Sequence, residues 1–172
     1  MPPGSNRHHR ALVLTGVTLV SLAATVPLAL SGARQAAAGA LVVEEGLREI
    51  AYGAWEGRKE SEIRATDPDA YNAWSLDPAL VSPPGGESAF AIAARALPVL
   101  VRARRDHPTG NVLFVSHKAT IRVIVCALLG IPLGRFRDRV SCPTASVTTF
   151  EFGERGAMLV DLGDTHHLAG IP

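Results

Sequence analysis

The longest uncharged run in the chain comes first. Ala11 to Leu30 reads ALVLTGVTLVSLAATVPLAL, with hydroxyl residues as its only polar breaks; Arg7 and Arg10 flank His8 and His9 ahead of it, and small residues crowd Ala36 to Ala40 behind it. Basic start, apolar middle and small-residue end are the three parts of a secretory signal, although the apolar part exceeds the usual ~7–15 residues. At ~20 residues the run is also long enough to span a bilayer. A third reading makes it a garbled or wrongly started piece of the domain that follows. Residues 1–40 are therefore set apart as an atypical N-terminal segment, and 41–172 as the folded domain.

From Gly46 the pattern changes to short elements punctuated by Pro and Gly. Arg58 to Thr66 is charged with Ile63 inside it and is stopped by Asp67-Pro68, which predicts a short solvated helix. Asp69 to Ser75 predicts a second, with Tyr71 and Trp74 on one side. Ser82-Pro83-Pro84-Gly85-Gly86 must be a loop. Ser88 then caps a helix with Phe90, Ala93, Ala94, Leu97, Leu100 and Val101 on its apolar face, Arg102, Arg104 and Arg105 near its end, and a kink at Pro98. Asn111 to Ser116 is a continuous apolar run that suits a strand covered on both faces. Ala119 to Leu129 reads as a helix closed by Gly130. A short basic helix around Arg135 to Arg139 follows, and then strands Ser146 to Phe152 and Ala157 to Leu162, joined as a hairpin through Gly153-Glu154-Arg155-Gly156. The fold class is α/β, with a mostly parallel central sheet flanked by helices.

A chain of 172 residues, 47% hydrophobic, suits one domain with a substantial core. The formal net charge of +1 offers no field to draw in a polyanion, which argues against a nucleic-acid partner. Cys126 and Cys142 lack CxxC or Cys/His spacing and read as reduced thiols. The adjacent His166 and His167 have no third ligand at a useful spacing, so no metal is expected.

Two places carry candidate chemistry. Ser116-His117, between the apolar run and the helix, puts an imidazole at the carboxyl edge of the sheet beside the free N–H groups of a helix start, where an anion is favoured. Glu49 lies in Leu47-Arg48-Glu49-Ile50, between apolar residues and ahead of Trp55-Glu56-Gly57. A carboxyl in such surroundings, next to a bound anion, tends to keep its proton, as a general acid for a leaving alcohol must. Either residue also has a plain structural reading, as a satisfied histidine after a buried strand or as a surface glutamate.

Read together, the segments LREIAYGAWEG (Leu47 to Gly57), PPGGES (Pro83 to Ser88), VLFVSHKATIR (Val112 to Arg122), LLGIPLGRF (Leu128 to Phe136) and LGDTHHL (Leu162 to Leu168) resemble, in order and spacing, the blocks of the histidine phosphatase superfamily. The resemblance implies a phosphoglycerate mutase-like fold and a phosphomonoester phosphatase that works through a phosphohistidine, without metal or cofactor. It makes Glu49 the proton donor to the leaving group and His117 the second pocket histidine, on the transferred phosphoryl group. Lys118 stands where the family has glycine, and keeps its backbone N–H. Glu87 and Ser88 match a turn that holds the pocket wall, and Arg122 matches an arginine of structural rather than catalytic character.

Family members also begin with a hydrophobic strand running straight into Arg-His-Gly, whose histidine is the nucleophile. The nearest text is Arg7-His8-His9, preceded by Met1 to Asn6 and no strand, so the N-terminal strand is expected to be incomplete and the nucleophile unrecognisable. The family's second pocket arginine falls on Gly32, or its block is absent. Losing a nucleophile alone costs on the order of a millionfold in an unrelated protease, so a non-catalytic phosphate-binding or interaction protein on the same scaffold is the alternative. The expected partner is a small phosphorylated metabolite. The expected location is cytoplasmic, with membrane contact or export only if residues 11–30 serve as anchor or signal. The sequence assigns no oligomeric state.

Overall fold

A computed structural model describes residues 10–16 and 42–170. Four strands form one sheet: β1 (Arg10–Gly16), β2 (Val112–Ser116), β3 (Val147–Gly153) and β4 (Gly156–Asp164), in the order β2-β1-β3-β4. β1 runs parallel to β2, from Leu12 beside Val112 to Gly16 beside Ser116, and antiparallel to β3, from Arg10 opposite Phe152 to Thr15 opposite Val147. The start of the apolar run thus supplies a central strand, where an incomplete one was expected. Arg7-His8-His9 and the rest of that run, from residue 17, lie outside the described residues.

The sheet is not mostly parallel among the described strands, since β1–β3 and β3–β4 are both antiparallel. The reason is local: Gly153 pairs with Gly156, so two residues, Glu154 and Arg155, make the turn, and so short a connection can join only antiparallel strands. No helix among the described residues is long and apolar enough to cross a membrane.

Five helices accompany the sheet: α1 (Glu60–Thr66), α2 (Pro68–Leu76), α3 (Ala89–Asp106), α4 (Lys118–Leu129) and α5 (Phe136–Arg139). α3, α4 and the inward residues Phe114 and Phe150 build the main core. α4 is buried at Ala119, Thr120, Ile121 and every position from Val123 to Cys126, and each large aliphatic there contributes roughly 1.5–3 kcal/mol. It ends at Gly130, whose φ of 68° is the left-handed cap a glycine permits.

Two expected faces are corrected. β2 is covered on one side only: Phe114 and Ser116 are buried, whereas Leu113 and Val115 are 52% and 59% exposed, because α3 and α4 lie on one face. α3 is rotated from the expected stripe. Its buried residues are Ala89, Ile92, Ala93, Ala96, Val99 and Leu100, while Phe90, Ala94 and Val101 face solvent. Small alanines let the helix sit close to its neighbours, so proximity outweighs side-chain size in choosing the face. The helix also continues through Pro98 as one element.

A second cluster gathers Trp55, Ile63, Tyr71 and Trp74 where α1 and α2 pack against the chain after Glu49. Trp55 and Trp74 meet edge to face at 5.6 Å, and Tyr52 meets Trp74 the same way at 6.2 Å.

Candidate active site

The site forms where β2 becomes α4. His117, extended at φ −115° and ψ 163°, is the last residue before the helix, and half-buried; Lys118 opens the helix and is exposed. The strand therefore reaches the helix without a loop, and the helix N–H groups emerge beside the imidazole.

The segment carrying Glu49 is fastened to this junction from both sides of His117. The Ser116 hydroxyl donates to the Leu47 carbonyl at 2.7 Å, and the Thr120 hydroxyl donates to the Arg48 carbonyl at 2.6 Å. The Glu49 carboxylate then accepts from the N–H of Ala119 at 3.2 and 3.3 Å and from the N–H of Thr120 at 3.3 Å, as well as from Ile50 at 2.9 Å. Glu49 and His117 are thus brought to one helix opening. The donors that the sequence reading left for a bound phosphate are occupied by Glu49 itself, in a place that suits a negative charge. Among the described residues the N–H of Lys118 has no acceptor.

Glu87 holds the same segment from behind. Its carboxylate accepts from Arg95 Nε at 2.9 Å and Nη2 at 3.0 Å, from Arg48 at 2.8 Å and from the Ala51 N–H at 3.1 Å. Arg95 also donates to the carbonyls of Gly46, Arg48 and Glu49. Burial alone would favour a protonated Glu87, but the Arg95 hydrogen bond, the Ala51 N–H and the charges of Arg95 and Arg48 outweigh it, and the carboxyl is held below its ordinary range. Gly53, at φ 57°, presses on the Pro84 carbonyl where no Cβ fits, so the 51–53 and 84–86 stretches lie against each other. Ser88 caps α3 by accepting from the Ala91 N–H at 3.3 Å.

Arg122, one turn into α4, has a buried Nε with no acceptor. Its charge is felt at Tyr52, Cys126 and Cys142. Both cysteines are free and buried. Burial pushes the Cys126 thiol up to about 11 and raises that of Cys142 against a hydrogen bond with Ser146. Among the described residues no group of three or more His, Cys, Asp or Glu is placed to hold a metal.

A groove of about 730 Å³ leads from His117 and Arg48 along the exposed side of β2, past Val115 and Leu113. Glu49 is not part of its lining. The groove is mostly apolar, so the polar chemistry belongs to the helix opening at its end. Three residues that build this geometry escape a reading along the sequence: Arg95, Ser116 as a donor, and Thr120. Arg95 alone left a trace, as the one charge between Ala89 and Val101, since a charge on a largely apolar helix needs a partner.

The chain belongs to the histidine phosphatase superfamily (branch 1), which it matches over residues 24–165. It is 31% identical over 128 residues to phosphoserine phosphatase 1 of Hydrogenobacter thermophilus, covering 74% of this chain and 60% of that one. It is 33% identical over 102 residues to glucosyl-3-phosphoglycerate phosphatase of Mycobacterium tuberculosis, covering 55% of this chain and 45% of that one. Among solved structures it is similar to YhfR of Bacillus stearothermophilus, with a TM-score of 0.72 and 26% identity, covering 92% of this chain and 99% of that one. The chain therefore spans about half to three-fifths of the two enzymes' length and nearly all of the solved structure. The α/β, phosphoglycerate mutase-like fold and the phosphatase family both stand as the sequence reading had them.

Proposed function

We propose that this chain takes a small phosphomonoester at the opening of α4, with His117 on the phosphoryl group and Glu49 on the oxygen of the departing alcohol, as a phosphomonoester phosphatase. The observation that carries the reading is the convergence of Glu49 and His117 on one helix start, with the N–H of Lys118 left without an acceptor. In the route the resemblance implies, a histidine displaces the alcohol from phosphorus and the leaving oxygen departs with a proton from Glu49. Water then displaces the histidine, giving phosphate, with Glu49 taking the proton back. Glu49 must release the N–H groups of Ala119 and Thr120 to face the leaving oxygen, and the incoming phosphate then replaces it as their anion.

A second reading rests on β1. Its end lies beside Ser116, next to His117, at the place where the family's first strand runs into Arg-His-Gly; here the text is Leu14-Thr15-Gly16, and β1 contains no histidine. That favours a protein which binds phosphomonoesters without turning them over. One experiment separates the readings: hydrolysis of a generic aryl phosphate, measured beside calorimetric titration with inorganic phosphate. Turnover abolished by His117→Ala supports the phosphatase. Binding that needs His117, without turnover, supports the second reading. Neither binding nor turnover, or turnover indifferent to His117→Ala, discards the proposed site.

A further inference from the structure

The donors around Tyr52 have no acceptors. Trp74 is 5% exposed, yet its indole Nε1–H is buried with no partner, as is Nε of Arg122. Arg137, on α5, lies with its guanidinium carbon 4.3 Å from the Trp74 ring centroid and forms no ion pair among the described residues. The carboxylate whose charge balance it touches, Glu60, is already engaged by the Tyr71 hydroxyl at 2.8 Å and by Arg64 at 2.9 Å. The Tyr52 hydroxyl likewise forms no hydrogen bond among the described residues. Burial and the nearby charge of Glu49 raise its phenol against the pull of Arg137 and Arg122, so it stays a neutral donor.

Buried donors left unmatched are uncommon in folded proteins, and a cluster of them marks the place of a missing acceptor. The cluster adjoins the candidate acid. Tyr52 is three residues beyond Glu49, Trp74 stands on Tyr52, and Arg137 stands on Trp74. We infer that Tyr52, Trp74 and Arg137 form a subsite for a second anionic group, a carboxylate carried by the alcohol half of the phosphomonoester. The inference rests on the phosphomonoester reading above and adds the substrate class: phosphorylated hydroxy acids of about three carbons. A planar guanidinium suits a carboxylate because it presents two parallel donors, and a stacked guanidinium is already held in position to do so.

The test compares calorimetric binding of O-phosphoserine, of O-phosphoethanolamine, which lacks only the carboxylate, of a three-carbon bisphosphate and of inorganic phosphate, to the wild type and to Arg137→Met. O-Phosphoserine is expected to bind the wild type about tenfold more tightly than O-phosphoethanolamine, the size of one charge-assisted hydrogen bond, and Arg137→Met is expected to erase that difference while inorganic phosphate binds both proteins alike. Equal binding of the two phosphoesters to the wild type overturns the subsite and leaves the phosphomonoester reading intact. An Arg137-dependent gain for the bisphosphate alone overturns the carboxylate assignment. Failure of every ligand to bind the wild type overturns both readings.

Discussion

The carboxylate of Glu49 sits on the N–H of Ala119, at 3.2 and 3.3 Å from its two oxygens, across seventy residues of sequence. A candidate proton donor is thus also the cap of the helix that would receive the substrate. The two roles oppose each other, since the same N–H groups cannot serve Glu49 and a phosphate together.

Replacing Glu49 with alanine separates the roles. Glu49→Ala is expected to lose about 1 kcal/mol of stability through loss of the cap, read from urea unfolding. It is also expected to bind inorganic phosphate more tightly than the wild type, because a competing anion has gone; weaker binding would show that Glu49 does not compete for the helix opening.

Arg95 is the fastening that the sequence hides. It joins α3 to three carbonyls of the Glu49 segment and to both oxygens of Glu87. Arg95→Met strands Glu87 in a largely buried place and is expected to cost about 3 kcal/mol, the low end for breaking a buried pair. Lys118→Met, at an exposed position, is expected to stay within about 0.5 kcal/mol of the wild type. Urea midpoints of the two variants check the contrast.

Glu87 gives the fold an acid limit. Its folded pKa lies below the ordinary 4.5, so its contribution is fully present above that value and is lost as the pH falls through the folded one. Glu87→Gln is therefore expected to be less stable than the wild type at neutral pH, with the gap closing below pH 4.5. Thermal unfolding across that range measures it, and a gap that persists at acid pH would remove Glu87 as its source.

The thiols supply a fourth test. Cys126 is fully buried and its pKa is raised to about 11, so in the native state it is expected to resist a disulfide reagent at mildly alkaline pH, and to react at once in denaturant. Rapid labelling of the native protein at Cys126 would contradict the packing of α4.

Sequence and structure agree where the signal is local. The end of α4 at Gly130, the hairpin turn at Glu154-Arg155, the cap at Ser88 and the passage from strand to helix at His117 each follow from a few adjacent residues. The rest depends on partners far along the chain. Ala11 to Leu30 is apolar in a way that serves strand, anchor or signal equally, and pairing with Val112–Ser116 and Val147–Phe152 is what makes part of it β1. The apolar residues of α3 permit two stripes, and the neighbours choose the one rich in alanine. Arg95 meets carbonyls nearly fifty residues away, and Glu49 meets N–H groups farther still, contacts that no short motif encodes.

The position of β1 changes what it means to shorten this protein at its front. Removing residues 1–16 would not trim a tail: β2 would lose its ladder partner, and the β3–β4 hairpin would face it across a gap of about 10 Å, two strand spacings wide. His117 rides on the orphaned side of that gap.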